Sequence, residues 1–413
     1  MLMQIPTMLL FCFILLAALI VPWREGLCKK SSRLIITVLA LGIAFTARTV
    51  FINYQSGDYN TFLCHWVEYF RQNGGFKGLD GSVGNYNLPY LYFLALFSYI
   101  PLNDLHLIKL LSIIFDVVLA FGMMKLTGVF TRSADKRLAA YLITLLLPTV
   151  VINGAMWGQC DSIYTAFAVL AFWLVLSGRP NASMVCMALS FGFKLQAVFI
   201  MPLYAVLLFA GKIKLKNFLV FPLTYLILIL PAVLMGRPFK DAFLLYYYQA
   251  DTVGAGLNYN SPSLFAFVSG GVNTAALSAV AVAAAFLFVL LIFLWAWKRR
   301  SSLNDEALLG IALLFAVGIP FLLPHMHDRY FFMADVLTLL PAVLYAQYAP
   351  MTTLTSFASF LCYYAYLSRH YLLTLNYGAA ALVGVLLILL SFTAQRLNSN
   401  RPARSEQKIN VTF

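Results

Sequence analysis

Charge is the property this sequence lacks most. Only 10% of the 413 residues are charged and only 15 are Asp or Glu, whereas soluble globular domains carry about 25% charged residues. Apolar residues make up 62% of the chain, and apolar runs of about 20 residues, long enough to cross a bilayer, recur from Ile5 to Phe392. The scarcity of charge excludes a string of soluble domains and predicts one all-α polytopic domain over residues 1–395, embedded in the lipid bilayer.

Paired cysteines are also absent. The six cysteines are scattered without a Cys-x-x-Cys pair, so the sequence predicts neither a zinc site nor a disulfide framework. The first apolar run, Ile5–Trp23, has no basic residue before it and no small-x-small cleavage site after it. It is therefore interpreted as a retained span and not as a signal peptide.

Taking the apolar runs as spans gives about thirteen transmembrane helices, within a range of roughly eleven to thirteen or more. They are Ile5–Trp23, Leu34–Ile52, Leu107–Met124, Leu138–Ala155, Ser162–Leu176, the broken pair Ala182–Phe193 and Ala197–Ala210, Phe218–Met235, Ala275–Trp297, Glu306–Leu323, Tyr330–Ala346, Met351–Leu367 and Leu372–Phe392. The apolar stretch Pro89–Pro101 is too short to span and is predicted to lie in the membrane surface or to re-enter it.

The net charge of +13 is distributed unevenly along this topology. One side receives 19 of the 28 Lys and Arg residues, which makes that side cytoplasmic by the positive-inside rule. The bias explains the positive charge without nucleic acid, which is not expected as a partner. Residues 53–106 then form an external loop with juxtamembrane helices, and residues 396–413 form a basic cytoplasmic tail that is expected to be disordered.

The unusual polar groups at helix ends all fall on the opposite, external side. A charged side chain at membrane depth costs at least about 2.5–3.5 kcal/mol on insertion scales, so several on one side indicate a functional site. The segments concerned are Arg48 with Asp58, NYNLPY (85–90), WGQCDS (157–162), FKLQ (193–196), the loop 246–263 and PHMHDRYFF (324–332).

Asp58 follows Gly57 in SGDYN and precedes TFLCHWVEYF, which reads as an amphipathic surface helix with aromatic anchors. Its carboxylate is interpreted either as the N-cap of that helix or as a catalytic group. Gln159 and Asp161 lie in a short turn near the membrane boundary, and here too capping and a site role both stay open.

Lys194 interrupts 28 otherwise uncharged residues between Asn181 and Gly211. Broken helices at membrane depth are tolerated where they line a cavity, and a lysine there can hold an anion. The alternative is a lysine that extends its ammonium group to the interface.

The densest polar cluster is His325, His327, Asp328 and Arg329. A metal site and a solvated loop are both alternatives, but anion recognition fits better because Arg329 offers a bidentate fork to a phosphate. In the loop 246–263, the tyrosines fit an interfacial aromatic belt, whereas Gln249, Asn258 and Asn260 fit sugar contacts equally well. Two further acids within spans, Asp116 and Asp335, are predicted to face the bundle interior.

Together, Asp58 after an early span, NYNLPYLY, WGQCDS, FGFKLQAVFIMPLY and HMHDRYFF resemble the GT-C superfamily of polyprenyl-phosphate-sugar-dependent glycosyltransferases. The chain is most similar to bacterial membrane proteins that resemble the second mannosyltransferase of GPI-anchor synthesis. The HMHDRY stretch also resembles the His-x-His-Glu-Lys motif of dolichyl-phosphate-glucose-dependent glucosyltransferases. The resemblance covers about residues 34 to 332, that is, without the first span and the last two.

The resemblance implies a role for each candidate residue. Asp58 would be the general base. The donor phosphate would be bound by Lys194, His325, His327 and Arg329, and the substrates would be contacted by Gln159, Asp161, Gln196, Asp328, Asn258 and Asn260. No metal or other cofactor is implied. Many family members carry a second acid beside the base where this chain has Gly57 and Tyr59, so Glu68 or Asp161 could assist.

The expected function is therefore an inverting transfer of a hexose, with mannose favoured, from a polyprenyl-phosphate sugar to an envelope glycan or glycolipid. The expected location is the external face of a bacterial plasma membrane. One alternative is a polytopic transporter or flippase of lipid-linked glycans, in which ionisable groups would be spread through both halves of the membrane. Another is an envelope polysaccharide polymerase, which would more typically carry a long arginine-rich external loop.

Overall fold

A computed structural model of the chain describes residues 4–250, 254–268 and 273–398. Within these ranges the regular structure is helical apart from one pair of two-residue strands, and turns and loops connect the helices. The strands β1 (Asn258–Tyr259) and β2 (Met326–His327) pair in parallel, with Asn258 opposite Met326 and Tyr259 opposite His327. The last helix ends at Asn398, and the rest of the predicted basic tail lies outside the described residues.

Seven helical segments of the described chain are long and apolar enough to cross a membrane on their own. They are α1 (Ile5–Arg24), α2 (Ser31–Phe51), α5 (Asp104–Phe130), Leu215–Leu234, which contains α11 (Val220–Leu234), α14 (Thr274–Lys298), α15 (Asp305–Leu322) and α19 (Leu375–Asn398). They make the chain an all-α, membrane-embedded protein, as predicted. The predicted count of about thirteen spans goes beyond what these lengths establish.

The remaining helices are shorter, broken or less apolar. Between α2 and α5 lie α3 (Cys64–Gln72) and α4 (Leu88–Phe97), followed after α5 by α6 (Ala134–Leu146), α7 (Pro148–Val151), α8 (Asp161–Leu176), α9 (Pro180–Phe193) and α10 (Leu203–Phe209). After α11 come α12 (Phe239–Phe243) and α13 (Leu245–Ala250), and after α15 come α16 (Phe332–Leu337), α17 (Leu339–Leu344) and α18 (Ala349–Ser368). With only ten residues, α4 is too short to span, as expected for the stretch after Pro89.

Local sequence explains where several helices begin and bend. Asn87 and Asn103 cap α4 and α5 by accepting backbone N–H bonds from Leu88 and Leu105, the usual role of a short polar side chain at a helix start. Pro148 cannot donate a backbone hydrogen bond, and the chain bends by 47° between α6 and the segment Pro148–Trp157.

The core lies around α5, α8, α9 and α15. In the most apolar 18 residues of α5 and α15, 78% and 83% are buried inside the protein, against 17% for α14 and 28% for α1. The central helices are apolar on most of their surface, as expected for helices surrounded by protein, and α5 also buries His106, Lys109 and Asp116. The outer helices leave apolar side chains uncovered, which suits contact with lipid.

The segments predicted to be cytoplasmic meet one another through ion pairs. Arg33 contacts Asp135 at 2.6 Å, and Glu25 pairs with both Lys125 and Arg137 at 2.6 and 2.9 Å. Further pairs join Lys212 to Asp305 and Arg396 to Glu306. These contacts gather the basic loops at one end of the helices, and the candidate residues are not among them.

Candidate functional site

The segment that carries Asp58 begins with a buried serine. Ser56 Oγ donates to the carbonyl of Trp157 (2.7 Å) and accepts the backbone N–H of Tyr59 (3.2 Å), next to a short π-helix, Tyr59–Leu63. The Asp58 side chain makes no capping hydrogen bond. The capping interpretation of Asp58 is therefore wrong. The hydroxyl of Ser56 caps the helix instead, and the Asp58 carboxylate binds other partners.

Gly57 lets other chain segments approach Asp58 closely. A Cβ atom at this position would lie 3.0 Å from Nη2 of Arg369 and 3.5 Å from the Tyr366 hydroxyl. Both residues belong to the end of α18 or the turn after it. The absence of a side chain at Gly57 thus leaves room for Tyr366 and Arg369 beside the Asp58 carboxylate.

The Asp58 carboxylate is held by three side-chain donors. Its Oδ2 accepts the indole N–H of Trp157 (2.9 Å) and the amide of Gln159 (2.6 Å), and its Oδ1 accepts the Tyr366 hydroxyl at 2.5 Å. A carboxylate has about four lone-pair sites, so Oδ1 can accept one further hydrogen bond. The side chain is 17% exposed, so it is oriented by the protein and still accessible.

Trp157 and Gln159 come from the WGQCDS turn. A second π-helix, Ile152–Trp157, ends there, and Gly158 turns the chain with a φ of 79°, in the left-handed region that glycine favours. Gln159 also accepts a hydrogen bond from the Tyr86 hydroxyl (2.8 Å). Both π-helices of the described chain therefore adjoin residues that meet at Asp58, and such segments are frequent at functional sites.

Arg329 lies at the centre of three carboxylates. Its guanidinium is 3.5 Å from Asp58, 3.6 Å from Asp161 and 3.7 Å from Asp328, and it covers the Trp157 ring at 5.4 Å. These distances exceed those of direct N–H···O hydrogen bonds, about 2.7–3.2 Å, and Nε has no hydrogen-bond partner among the described residues. The cation is thus held by charge while it keeps donor capacity for a ligand.

Lys194 and Asp161 form a second, deeper ion pair. Lys194 adopts an extended backbone where α9 ends, which confirms the predicted break, and its ammonium group donates to Asp161 Oδ1. Asp161 Oδ2 also accepts the Asn153 amide at 2.8 Å. Both charged side chains are almost fully buried, and Asp161 starts α8 without capping it.

A cavity of roughly 290 Å³ opens beside Asp58. Of the residues given a site role, it is lined by Asp58, Gln159, His327, Asp328 and Arg329. Asn85 and Tyr86, from the predicted external segment 85–90, also line it, together with Phe62, Leu63, Trp66 and Tyr366, which were given no site role. Lys194 and Asp161 lie behind Arg329 and outside this lining. Glu68, the other candidate assistant, instead pairs with Arg71 at 2.6 Å.

Burial affects the two polar residues that precede Arg329. It lowers the pKa of His327 to about 4, with the nearby cations Arg329 and Lys194 adding to the effect, so the ring is neutral near pH 7. It raises the pKa of Asp328 to about 7 against the opposing effect of Arg329. The Asp328 carboxyl therefore titrates near neutral pH, and its Oδ1 has no hydrogen-bond partner in the described chain.

Besides Lys194 and Asp161, four further predicted residues lie outside the cavity lining. His325 Nδ1 donates to the carbonyl of Gly256 (2.6 Å), and its Nε2 lies 3.3 Å from the hydroxyl of Ser278. Asn258 forms a turn with Ser261, and Asn260 accepts the Tyr371 hydroxyl at 2.5 Å. Gln196 is buried in the short helical segment after Lys194. His325, Asn258 and Asn260 thus shape the loops around β1 and β2, where Tyr259 stacks on His327.

The two acids predicted to face the interior do so. Asp116 is fully buried and accepts the Arg48 guanidinium at 2.8 and 3.1 Å as well as the Ser162 hydroxyl. Asp335 is fully buried and accepts the Ser359 hydroxyl at 3.0 Å. Arg48, which the sequence assigned to the external set, is therefore part of a buried ion pair.

Comparisons with known proteins give no further guidance. No protein-family model matches the chain, and no curated protein matches it significantly. Any function must therefore be argued from the side chains around Asp58.

Proposed function

We propose that the chain is an inverting membrane glycosyltransferase of the GT-C type. It would move a hexose, with mannose favoured, from a polyprenyl-phosphate sugar to an envelope glycan or glycolipid. The observation that carries this proposal is a carboxylate oriented by three hydrogen-bond donors, with a cation 3.5 Å away, at the edge of a cavity. A base and an anion-binding group side by side are what such a transfer requires.

Asp58 acts as the general base in this reaction. The acceptor hydroxyl approaches the remaining acceptor site on Oδ1, its proton passes to the carboxylate, and its oxygen attacks the anomeric carbon. Trp157, Gln159 and Tyr366 fix the carboxylate while this happens. A positioned base contributes typically 10²–10⁴-fold to such a step.

Arg329 stabilises the leaving group. As the bond from the anomeric carbon to the phosphate oxygen breaks, its electron pair remains on the lipid phosphate, where negative charge develops. The guanidinium can offer a fork of N–H donors to that phosphate. His327 faces the same cavity as a neutral ring that can donate one hydrogen bond.

Lys194 supports this cation from behind. The ion pair with Lys194 partly neutralises the charge of Asp161. Arg329 is therefore attracted less strongly to Asp161 and does not form a close ion pair with it. Direct contact of Lys194 with the donor phosphate remains a prediction. The single displacement inverts the anomeric configuration, so a β-linked donor gives an α-linked product.

The substitution Asp58→Asn tests the proposal directly. The purified variant in detergent is given a radiolabelled polyprenyl-phosphate mannose and a lipid-linked glycan acceptor. Because the amide cannot take the proton, we expect transfer to fall at least about 100-fold while the protein stays folded.

Asp80→Asn serves as the matched control, since Asp80 is exposed and lies outside the cavity lining. This variant should transfer at the wild-type rate. Normal transfer by Asp58→Asn would remove Asp58 as the base.

A further inference from the structure

Lys109 is a fully buried lysine on α5 that neither the sequence motifs nor the proposed reaction uses. Its ammonium group donates three hydrogen bonds, to the backbone carbonyls of Phe51 (2.8 Å), Ile52 (3.2 Å) and Tyr54 (2.6 Å). An ammonium group has three N–H donors. All three N–H groups of Lys109 therefore bind the backbone of residues 51–54.

That stretch ends α2 and leads to Asp58. The last carbonyls of a helix lack intrahelical partners and carry the negative end of the helix dipole, which favours a cation there. Lys109 thus caps the carboxyl end of α2 and holds it against α5. Only Gln55 separates the last of the three carbonyls from Ser56, whose hydroxyl binds the Trp157 carbonyl.

The same side of α5 holds the second segment of the site. His106, Lys109 and Ser112 follow one another at three-residue spacing, which places them on neighbouring positions of one helix face. His106 Nε2 lies 2.9 Å from Asn53 Oδ1, and Ser112 Oγ donates to the carbonyl of Gln159 at 2.6 Å. One face of α5 therefore fixes both the chain before Asp58 and the turn that supplies its donors.

We propose that Lys109 is a positioning residue that sets the Asp58 carboxylate against Trp157 and Gln159. It binds the backbone of 51–54 just before Asp58 and is not among the residues that line the cavity. Its side chain also passes Gly158, where a Cβ atom would lie 3.9 Å from Cε and Cγ of Lys109. The catalytic consequence of this role rests on the proposed glycosyl transfer. The geometric consequence does not, because the hydrogen bond from Trp157 to Asp58 exists whatever the reaction.

The substitution Lys109→Met tests this role, because it keeps the length of the side chain and removes its three donors. The protein is labelled with 5-fluorotryptophan, and the ¹⁹F resonance of Trp157 is assigned by its loss in Trp157→Phe. We expect this resonance to move in Lys109→Met as the bond to Asp58 loosens. We also expect kcat for transfer to fall about 10- to 100-fold, since a misplacement of about 1 Å costs up to 10²-fold, with the donor KM little changed.

Lys125→Met is the matched control, since Lys125 also lies on α5 but pairs with Glu25 at the opposite end. It should leave both the resonance and kcat unchanged. Lys109→Gln, which keeps a shorter side chain with two N–H donors for the same carbonyls, should give a smaller shift in the same direction.

An unmoved Trp157 resonance in a folded Lys109 variant would overturn the positioning role, as would an equal shift in Lys125→Met. A shifted resonance in a preparation whose wild type transfers no sugar supports the positioning role and counts against the glycosyltransferase. Failure of the positioning role would therefore show in the Trp157 resonance, whereas failure of the proposed glycosyltransferase would show in the absence of sugar transfer.

Discussion

Asp58 and Asp161 each lie at the beginning of a helix, and neither caps it. From the local sequence a capping aspartate and a functional one look alike, because both are short acceptors before an apolar run. Asp58 is distinguished by donors 99, 101 and 308 residues away in the sequence. Such contacts depend on tertiary packing, which local patterns do not encode.

Tyr366, the second aromatic partner of Asp58, could not be predicted for a similar reason, whereas Trp157 lies in the predicted segment 157–162. Phe, Trp and Tyr make up 15% of the chain, so one more tyrosine or tryptophan in an apolar run carries no signal. Tyr366 lies in α18, beyond the segments that carry the motifs, and stacks on Trp157 at 4.5 Å. Arg329 was predictable because a charge beside an apolar span is costly and hence rare.

Asp328 gives a prediction for the dependence of stability on pH. Its pKa is raised from the ordinary 3.8 to about 7 in the folded protein. As the pH rises, the unfolded chain therefore loses this proton before the folded protein does. The contribution of Asp328 to the free energy of unfolding is complete below about pH 4 and is lost as the pH rises towards 7. The change corresponds to at most roughly 4 kcal/mol. We expect Asp328→Asn to lose less stability than the wild type between pH 4 and 7, as measured by SDS-induced unfolding.

His327 provides the contrasting control. Burial lowers the pKa of His327 from 6.5 to about 4. Its contribution to the free energy of unfolding is therefore complete above about pH 6.5 and is lost as the pH falls through 4. His327→Gln should therefore flatten the acid side of the stability curve, opposite in sign to the effect of Asp328→Asn. Parallel pH curves for the wild type and Asp328→Asn would show that Asp328 does not titrate in this range.

At the scale of the element, the site is built where helices are irregular. The break after α9 was predicted because a lysine within a long apolar run is conspicuous, and breaks at membrane depth occur where they line cavities. The π-helices at 59–63 and 152–157 were not predicted. A π-turn holds one more residue than an α-turn, and the packing of neighbouring segments, not a composition rule, decides where it forms.

The break in α9 gives a prediction about the buried pair of Lys194 and Asp161. Removing one member of a buried ion pair leaves an unpaired charge and typically costs 3–5 kcal/mol, whereas replacing both members costs much less. Because Arg329 remains 3.6 Å from Asp161 and can partly replace Lys194, we expect Lys194→Met to lower the free energy of unfolding by at most about 3–5 kcal/mol. The double variant Lys194→Met/Asp161→Asn should recover most of that loss in the same SDS titration.

Lys212→Met is the control for this cycle, since its pair with Asp305 is about one third exposed on each side. Exposed pairs contribute about 0–1 kcal/mol, so this variant should unfold almost like the wild type. If the double variant at 194 and 161 were no more stable than Lys194→Met alone, the two residues would not be energetically coupled.

At the scale of the whole molecule, composition predicted an all-α membrane protein, and the helices confirm it. The number of crossings was less predictable, because apolar runs identify segments but do not reveal whether a segment is continuous. Residues 330–346, predicted as one span, form two short helices, α16 and α17. Length and hydropathy therefore give the class of the protein more securely than its topology.

The final prediction concerns the face on which Asp58 lies. Segments that carry the basic loops are joined by ion pairs such as Arg33 to Asp135, and the positive-inside rule makes that end cytoplasmic. Single cysteines introduced into a cysteine-free background and treated on intact cells with a membrane-impermeant maleimide report the orientation. We expect Asn73→Cys and His370→Cys, both exposed near the Asp58 end, to be labelled directly. Lys29→Cys and Lys214→Cys should be labelled only after permeabilisation, and the reverse pattern would put the cavity inside the cell, where a donor from the outer leaflet could not reach it.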